Sequence, residues 1–232
     1  MNSQNSIIEI ADLSVNYGKN QALNNVNAVI NSGDFVAITG PNGGGKSTLL
    51  KALLRLISPT TGAINYFRNG IPTDNLRFGY LPQKNNIDAR FPITVEEVVA
   101  SGLQGATRNW RGSYSSEVKK KISEILELTG MLDLQKRPIG SLSGGQLQRT
   151  LLGRAIIADP EVVVLDEPLS YVDRQFVKQI YHIVADLAQH STIILVSHEM
   201  TVISELANRH WIVDHSLHQC HAAHHYLKTE CE

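Results

Sequence analysis

The sequence predicts an α/β protein with a mostly parallel sheet, an antiparallel β portion at its N-terminus and a helical insertion. Three observations predict it. From Gly144 onward, helix and strand patterns alternate, as a doubly wound sheet requires. Val162-Val163-Val164-Leu165 is a continuous apolar run, the pattern of a strand covered on both faces. Phe35-Val36-Ala37-Ile38 is a second such run, and it ends in a glycine-rich turn at Gly40, after which a helical pattern begins at Lys46.

The elements follow in order. Ile7 to Tyr17 and Ala22 to Ile30 read as strands, each followed by turn residues, Gly18-Lys19-Asn20 and Asn31-Ser32-Gly33. Lys46 to Ile57 reads as a helix stopped by Ser58-Pro59. Ala63 to Phe67 and Phe78 to Leu81 are further strands. Thr94 to Leu103 and Glu117 to Thr129 read as helices, the second with an apolar stripe of Val118, Ile122, Ile125 and Leu126. Lys119-Lys120-Lys121 fits a solvated helix face. A helix from Gly144 to about Ala158, the strand at Val162, a helix from Asp173 to Gln189 and a strand from Thr192 to Val196 complete the alternation. The expected organisation is a single domain over 1–232, with its core in 1–83 and 142–232 and a helical subdomain over about 84–141.

Composition narrows the classes. A chain of 232 residues has room for a real buried core. Hydrophobic residues make up 42% and charged residues 19%, which excludes disordered and fibrous types. With 21 Lys and Arg against 22 Asp and Glu, the charge leaves no electrostatic footprint for nucleic acid. A mean hydropathy of −0.12 and the lack of a long apolar run argue against a membrane span. Met1-Asn2-Ser3-Gln4-Asn5 has neither a basic stretch nor an apolar segment, so no secretory signal is expected. Two cysteines, Cys220 and Cys231, make no disulfide framework.

Gly40-Pro41-Asn42-Gly43-Gly44-Gly45-Lys46-Ser47 matches G-x-x-x-x-G-K-[ST]. Glycines let the backbone fold round phosphate oxygens with N–H groups turned inward, and the following helix offers its positive end to the same anion. Lys46 is placed to reach the β- and γ-phosphates and the Ser47 hydroxyl to ligate Mg²⁺, with Thr48 ending the nucleotide-binding stretch. With a strand before it and a helix after it, this loop makes the core a P-loop NTPase. Asp166-Glu167 closes the Val162 strand at its C-terminal end, where open α/β sheets bind ligands. Asp166 suits Mg²⁺, and Glu167 suits orienting and deprotonating an attacking water.

Leu142-Ser143-Gly144-Gly145-Gln146 is the third motif. Ser143 and Gln146 also have capping-box spacing for the helix that begins there. By the phosphate loop, this pentapeptide and the Asp166-Glu167 strand, in this order, the chain resembles the ATP-binding subunit of an ABC transporter over nearly its whole length. The resemblance implies ATP and Mg²⁺ as cofactors. It also implies that Ser143 and Gly145, in a nucleotide-binding stretch that includes Gly144 and Gln146, approach the γ-phosphate held by a second subunit, so that the working unit is a homodimer. Tyr17 stands where the family stacks an aromatic on adenine, Gln83 where a loop glutamine senses Mg²⁺ and the attacking water, and His198 where a switch histidine contacts the γ-phosphate. Asp173 is retained beyond the acidic pair. Two departures stand out: Gly44 replaces the usual Ala or Ser, and Ser170-Tyr171-Val172-Asp173 replaces Ser-Ala-Leu-Asp.

Phe91-Pro92-Ile93-Thr94-Val95-Glu96-Glu97-Val98-Val99 resembles the corresponding segment of zinc and manganese importers; Pro92 and Thr94 also suit a plain helix start. The implied function is ATP hydrolysis that powers import of a divalent metal. The alternatives are import of iron chelates or haem, or a soluble ABC ATPase acting in assembly. The implied partners are a separate polytopic permease and an extracytoplasmic metal-binding protein, with the chain peripheral on the cytoplasmic face of the membrane. Six of the 9 histidines lie between His210 and His225. Helical spacing would bring His218, His221 and His225 to one face. A hairpin of Trp211 to Val213 and Leu217 to His221 would instead put His218 and Cys220 on one face and His221 on the other. A zinc site of His218, Cys220 and His221 and a merely His-rich surface are both open readings.

Overall fold

The computed structural model describes residues 5–83, 91–103, 113–169, 174–197 and 206–220. In chain order its elements are β1 (Ser6–Tyr17), β2 (Asn20–Asn31), β3 (Phe35–Thr39), α1 (Lys46–Leu53), β4 (Thr61–Arg68), β5 (Ile71–Pro72), β6 (Phe78–Leu81), α2 (Val95–Ala100), α3 (Ser116–Leu128), α4 (Gly144–Ile156), β7 (Val162–Asp166), α5 (Arg174–Ala188), β8 (Thr192–Val196), β9 (Arg209–Asp214) and β10 (Ser216–Cys220). They form two compact units, one of Met1–Arg77 with Ala185–Glu232 and the other of Phe78–Val184.

The first unit carries two sheets. One is antiparallel, in the order β2-β1-β4-β5. Its long β1–β2 ribbon slips register beyond Ile10, and Asp12 and Asn25 take positive φ, so the strands bulge. In the other sheet β3 is central, parallel to β8 on one side and to β9 on the other, and β10 returns antiparallel along β9. Phe35 to Ile38 and Thr192 to Val196 are buried throughout, as a parallel strand with both faces covered must be. β3 ends at Thr39 and delivers the chain directly into the glycine-rich loop.

The second unit has the parallel pair β6–β7, in register from Phe78↔Val162 to Leu81↔Leu165, and the helical portion. Val95, Val99, Ala100, Ile122, Leu126, Met131 and Ile157 form one core, with Val118, Ile125 and Leu142 packed against it. The apolar stripe expected on the second insertion helix is therefore the one that packs. Thr94 caps α2 in a full capping box with Glu97. The same helix start is tied to 135–139, where Val95 N–H donates to Arg137 O and Lys136 Nζ pairs with Glu96 at 2.7 Å. On the charge run, Lys120 faces Glu124 and Lys121 faces Asp159, which fits an exposed face.

Several helices are shorter than their sequence patterns. α1 stops at Leu53 rather than Ile57, because Arg55 takes φ +55° and the chain turns away before Pro59. α2 stops at Ala100 rather than Leu103: a Cβ at Gly102 would meet Arg154 O of α4 at 2.1 Å, so this position is a close backbone approach and not a helix interior. α4 ends at Ile156 rather than Ala158. In the tail, β10 is extended through Cys220 and pairs with β9, which corrects the helical alternative at His218.

Candidate nucleotide site

The phosphate loop belongs to the first unit. Gly45 is the N-cap of α1, at φ +98°, with no side-chain bond to the helix end. A Cβ there would meet Ala22 O at 2.6 Å and Leu23 Cδ2 at 2.7 Å, so only glycine fits both the turn and its packing. The first intrahelical bond runs from Leu49 N–H to Gly45 O, which leaves the preceding amides, those of Lys46, Ser47 and Thr48, at the open end. No acidic residue lies in that first turn to offset the helix's positive end. Lys46 is buried, and its Nζ donates to Gly40 O at 2.7 Å and Pro41 O at 2.8 Å. The ammonium is thus drawn over the mouth of its own loop by the carbonyls that begin it. Pro41, Asn42 and Gly43 are exposed, as is the hydroxyl residue Ser47. Tyr17 ends β1 half exposed, at 50%, and so is not part of the core.

The second unit holds the acidic pair and the pentapeptide. Asp166 ends β7 and is buried; Glu167 follows at φ +52°. A glutamate in this left-handed region is uncommon, and such conformations cost about 1–3 kcal/mol and gather at functional sites. Asp166 is buried and Glu167 only partly so, a difference between consecutive carboxylates that no sequence pattern announces. Tyr80 on β6 was also not singled out. Burial and then the Asp166 charge push its phenol up to about 12. The two groups are neighbours, and the carboxylate opposes ionisation of the phenol. Gln83 follows β6 at intermediate exposure.

Ser143 caps α4. Its Oγ accepts from Gln146 N–H at 3.3 Å, and Gln146 Oε1 accepts from Ser143 N–H at 3.0 Å, the capping box the spacing predicted. Ser143 and Gly144 are exposed and Gly145 is half-buried. One turn on, buried Gln148 donates to Pro168 O at 3.4 Å, joining α4 to the turn after Glu167. This too went unread in the sequence, where Gln148 is an ordinary helix residue.

His198, Asp173 and His221 lie outside the described residues, as does Ser170-Tyr171-Val172. On β10, His218 stands opposite Ile212 and Cys220 opposite His210. His210 is buried, and its Nε2 lies 2.8 Å from Thr39 Oγ1. Among the described residues no three metal-ligating side chains gather. His218 and Cys220 are thus two donors, where a closed structural zinc site takes four.

Ser47 and Asp166 each offer a hard oxygen donor, the ligand class Mg²⁺ selects. The open, glycine-capped helix end with its lysine is the chemistry of polyphosphate binding.

The family described as ABC transporter matches residues 23–170, more than half of the chain. The zinc uptake system ATP-binding protein ZurA of Listeria innocua is 37% identical over 209 residues, which cover 88% of this chain and 81% of that protein. The zinc import ATP-binding protein ZnuC of Pasteurella multocida is 37% identical over 199 residues, covering 85% of this chain and 69% of the other. Among solved structures, a dimeric bacterial ABC transporter cassette superposes with a TM-score of 0.78 at 26% identity, covering 91% of this chain and 96% of that one. The same kind of cassette in a post-hydrolysis state with ADP and phosphate gives 0.77. The chain belongs to the ABC transporter family, as one of its ATP-binding cassette ATPases.

Proposed function

We propose that this protein is the ATP-hydrolysing subunit of an importer for divalent metal ions, zinc or manganese. The observation that carries the reading is the uncapped, glycine-turned end of α1 with Lys46 drawn across it, in a chain similar along most of its length to zinc-uptake ATP-binding proteins. On this reading the loop from Gly40 to Thr48 wraps the phosphates, with Lys46 on the β- and γ-phosphates. Ser47, Gln83 and Asp166 would hold Mg²⁺, which would supply charge neutralisation to the phosphates. Glu167 takes the proton of the attacking water, His198 contacts the γ-phosphate, and Tyr17 stacks on adenine. Ser143, Gly144, Gly145 and Gln146, with Asp173, serve the phosphates bound by a second copy in a head-to-tail homodimer. The exposure of Ser143 and Gly144 supports this, because a cap that already satisfies its own helix can meet a partner without unfolding.

The cassette works as one domain whose helical part, over about 84–141, faces a separate polytopic permease on the cytoplasmic side. Among the described residues no helix is long and apolar enough to cross a membrane. Phe91, 61% exposed just ahead of α2, offers an apolar contact for that partner. An extracytoplasmic metal-binding protein delivers the cargo. In vesicles holding the chain with its permease, ATP drives zinc or manganese uptake. Glu167→Gln keeps ATP binding but loses turnover by at least about 100-fold, because the amide cannot take a proton. Near-normal hydrolysis in that variant removes Glu167 from the reading, and uptake of neither metal removes the cargo.

A further inference from the structure

The phosphate loop has a seat. The back of the loop lies on the β9–β10 hairpin, in the same compact unit. A Cβ at Gly40 would stand 2.1 Å from Val213 O, and one at Gly44 2.8 Å from the same oxygen. At the hairpin's turn, His215 sits at φ +55°. In that conformation its N–H donates to Gly44 O at 2.8 Å while its own C=O accepts from Asn24 N–H at 2.7 Å. Its ring Nδ1 adds a longer contact to Ala22 O, 3.3 Å away. Ala22 and Leu23 are the residues packed against Gly45. One residue therefore bridges the loop and the β2 segment that flanks it.

We propose that His215 is a positioning residue for nucleotide binding, acting through its backbone. Held in the left-handed conformation, it fixes the Gly44 peptide, and with it the direction of the loop amides that meet phosphate. Two observations support the assignment independently. The first is the pair of backbone bonds, which His215 makes at φ +55°. The second is Gly44 itself. A Cβ there would stand 2.8 Å from Val213 O and 3.1 Å from Pro41 O, so the hairpin leaves no room for one without a shift. The glycine in the loop and the turn in the hairpin are two sides of one contact. The inference rests on the nucleotide-site reading above.

The test compares the full-length chain with His215→Val, His215→Asn and Gly44→Ala. A β-branched residue resists the left-handed region, whereas asparagine tolerates it. ATP affinity by calorimetry falls roughly tenfold in His215→Val, the scale of one to two lost hydrogen bonds. The KM for ATP rises alongside, with kcat at saturation and the thermal midpoint close to wild type. His215→Asn restores wild-type affinity. Gly44→Ala loses several-fold, and the double variant with His215→Val loses less than the sum, because both break the same seat. A folded His215→Val with wild-type affinity overturns the proposal, and so does an equal loss in His215→Asn, which would assign the effect to the ring. Should His215→Val fail to fold, Gly44→Ala decides alone, and unchanged affinity there overturns it. Failure of the wild type to bind ATP would instead sink the nucleotide site.

Discussion

The N-terminal ends of α1 and α4 both point at phosphate in the proposed mechanism, yet they are built in opposite ways. α1 begins at a left-handed glycine with no side-chain acceptor, and its shape comes from packing against Ala22, Leu23 and the hairpin. α4 begins at an extended serine at φ −67°, and its Ser143 and Gln146 side chains satisfy the end reciprocally. An end whose orphan amides are answered by no side chain keeps them for an anion. An end that answers its own amides is stable while exposed, as it must be if the phosphate arrives only with a second subunit. The difference teaches that two glycine-rich helix starts can look alike in sequence and differ in what completes them.

Four measurements break or sharpen that contrast. Lys46→Ala, at the open end, lowers ATP affinity by about 10- to 100-fold through loss of charge-assisted bonds, with little change in thermal midpoint. Calorimetry checks it, and unchanged affinity would make the bonds to Gly40 and Pro41 purely structural. Ser143→Arg, at the closed end, leaves ATP binding by the isolated chain within about twofold, since on the proposed reading this end serves the phosphates held by a second copy. Glu167→Gln, unable to discharge ATP, accumulates an ATP-bound dimer by light scattering, and adding Ser143→Arg abolishes it. Loss of monomer binding would assign Ser143 to its own chain's site and erase the contrast. Ser143→Ala costs about 1 kcal/mol of stability from the lost cap, seen in denaturant titration, with ATP affinity unmoved.

The smallest effect concerns what stands behind the open end. Burial lowers the pKa of His210, whose ring meets Thr39 at the end of β3. The unfolded chain therefore binds this proton more readily than the folded one. The stability due to neutral His210 is complete above about pH 6.5 and is lost as pH falls below it towards the lower folded value. In His210→Gln this part of the acid loss disappears. Parallel acid unfolding curves for the two proteins would show that His210 is not the group responsible.

Much of this was legible because it is local. The capping boxes at Thr94 and Ser143 depend on residues three apart, and the buried strands at Phe35, Val162 and Thr192 on continuous apolar runs. The stripe Val118, Ile122, Ile125 and Leu126 follows from the helical period alone. Helix lengths were less legible: Arg55 turns the chain by adopting a positive φ that arginine does not advertise, and Gly102 gives way to a backbone from another helix.

By itself the sequence determined the class of the fold, the phosphate loop, the acidic pair at the end of β7 and the self-capped start of α4, because each is written in neighbouring residues and in spacings of two, three or four. Only the tertiary structure decided that Tyr80 lies beside Asp166, that Glu167 turns left-handed and that His215 holds Gly44. The physical reason is distance along the chain. Residues 44 and 215 meet through backbone N–H and C=O groups, which every residue but proline carries alike, so no side-chain pattern records the pairing.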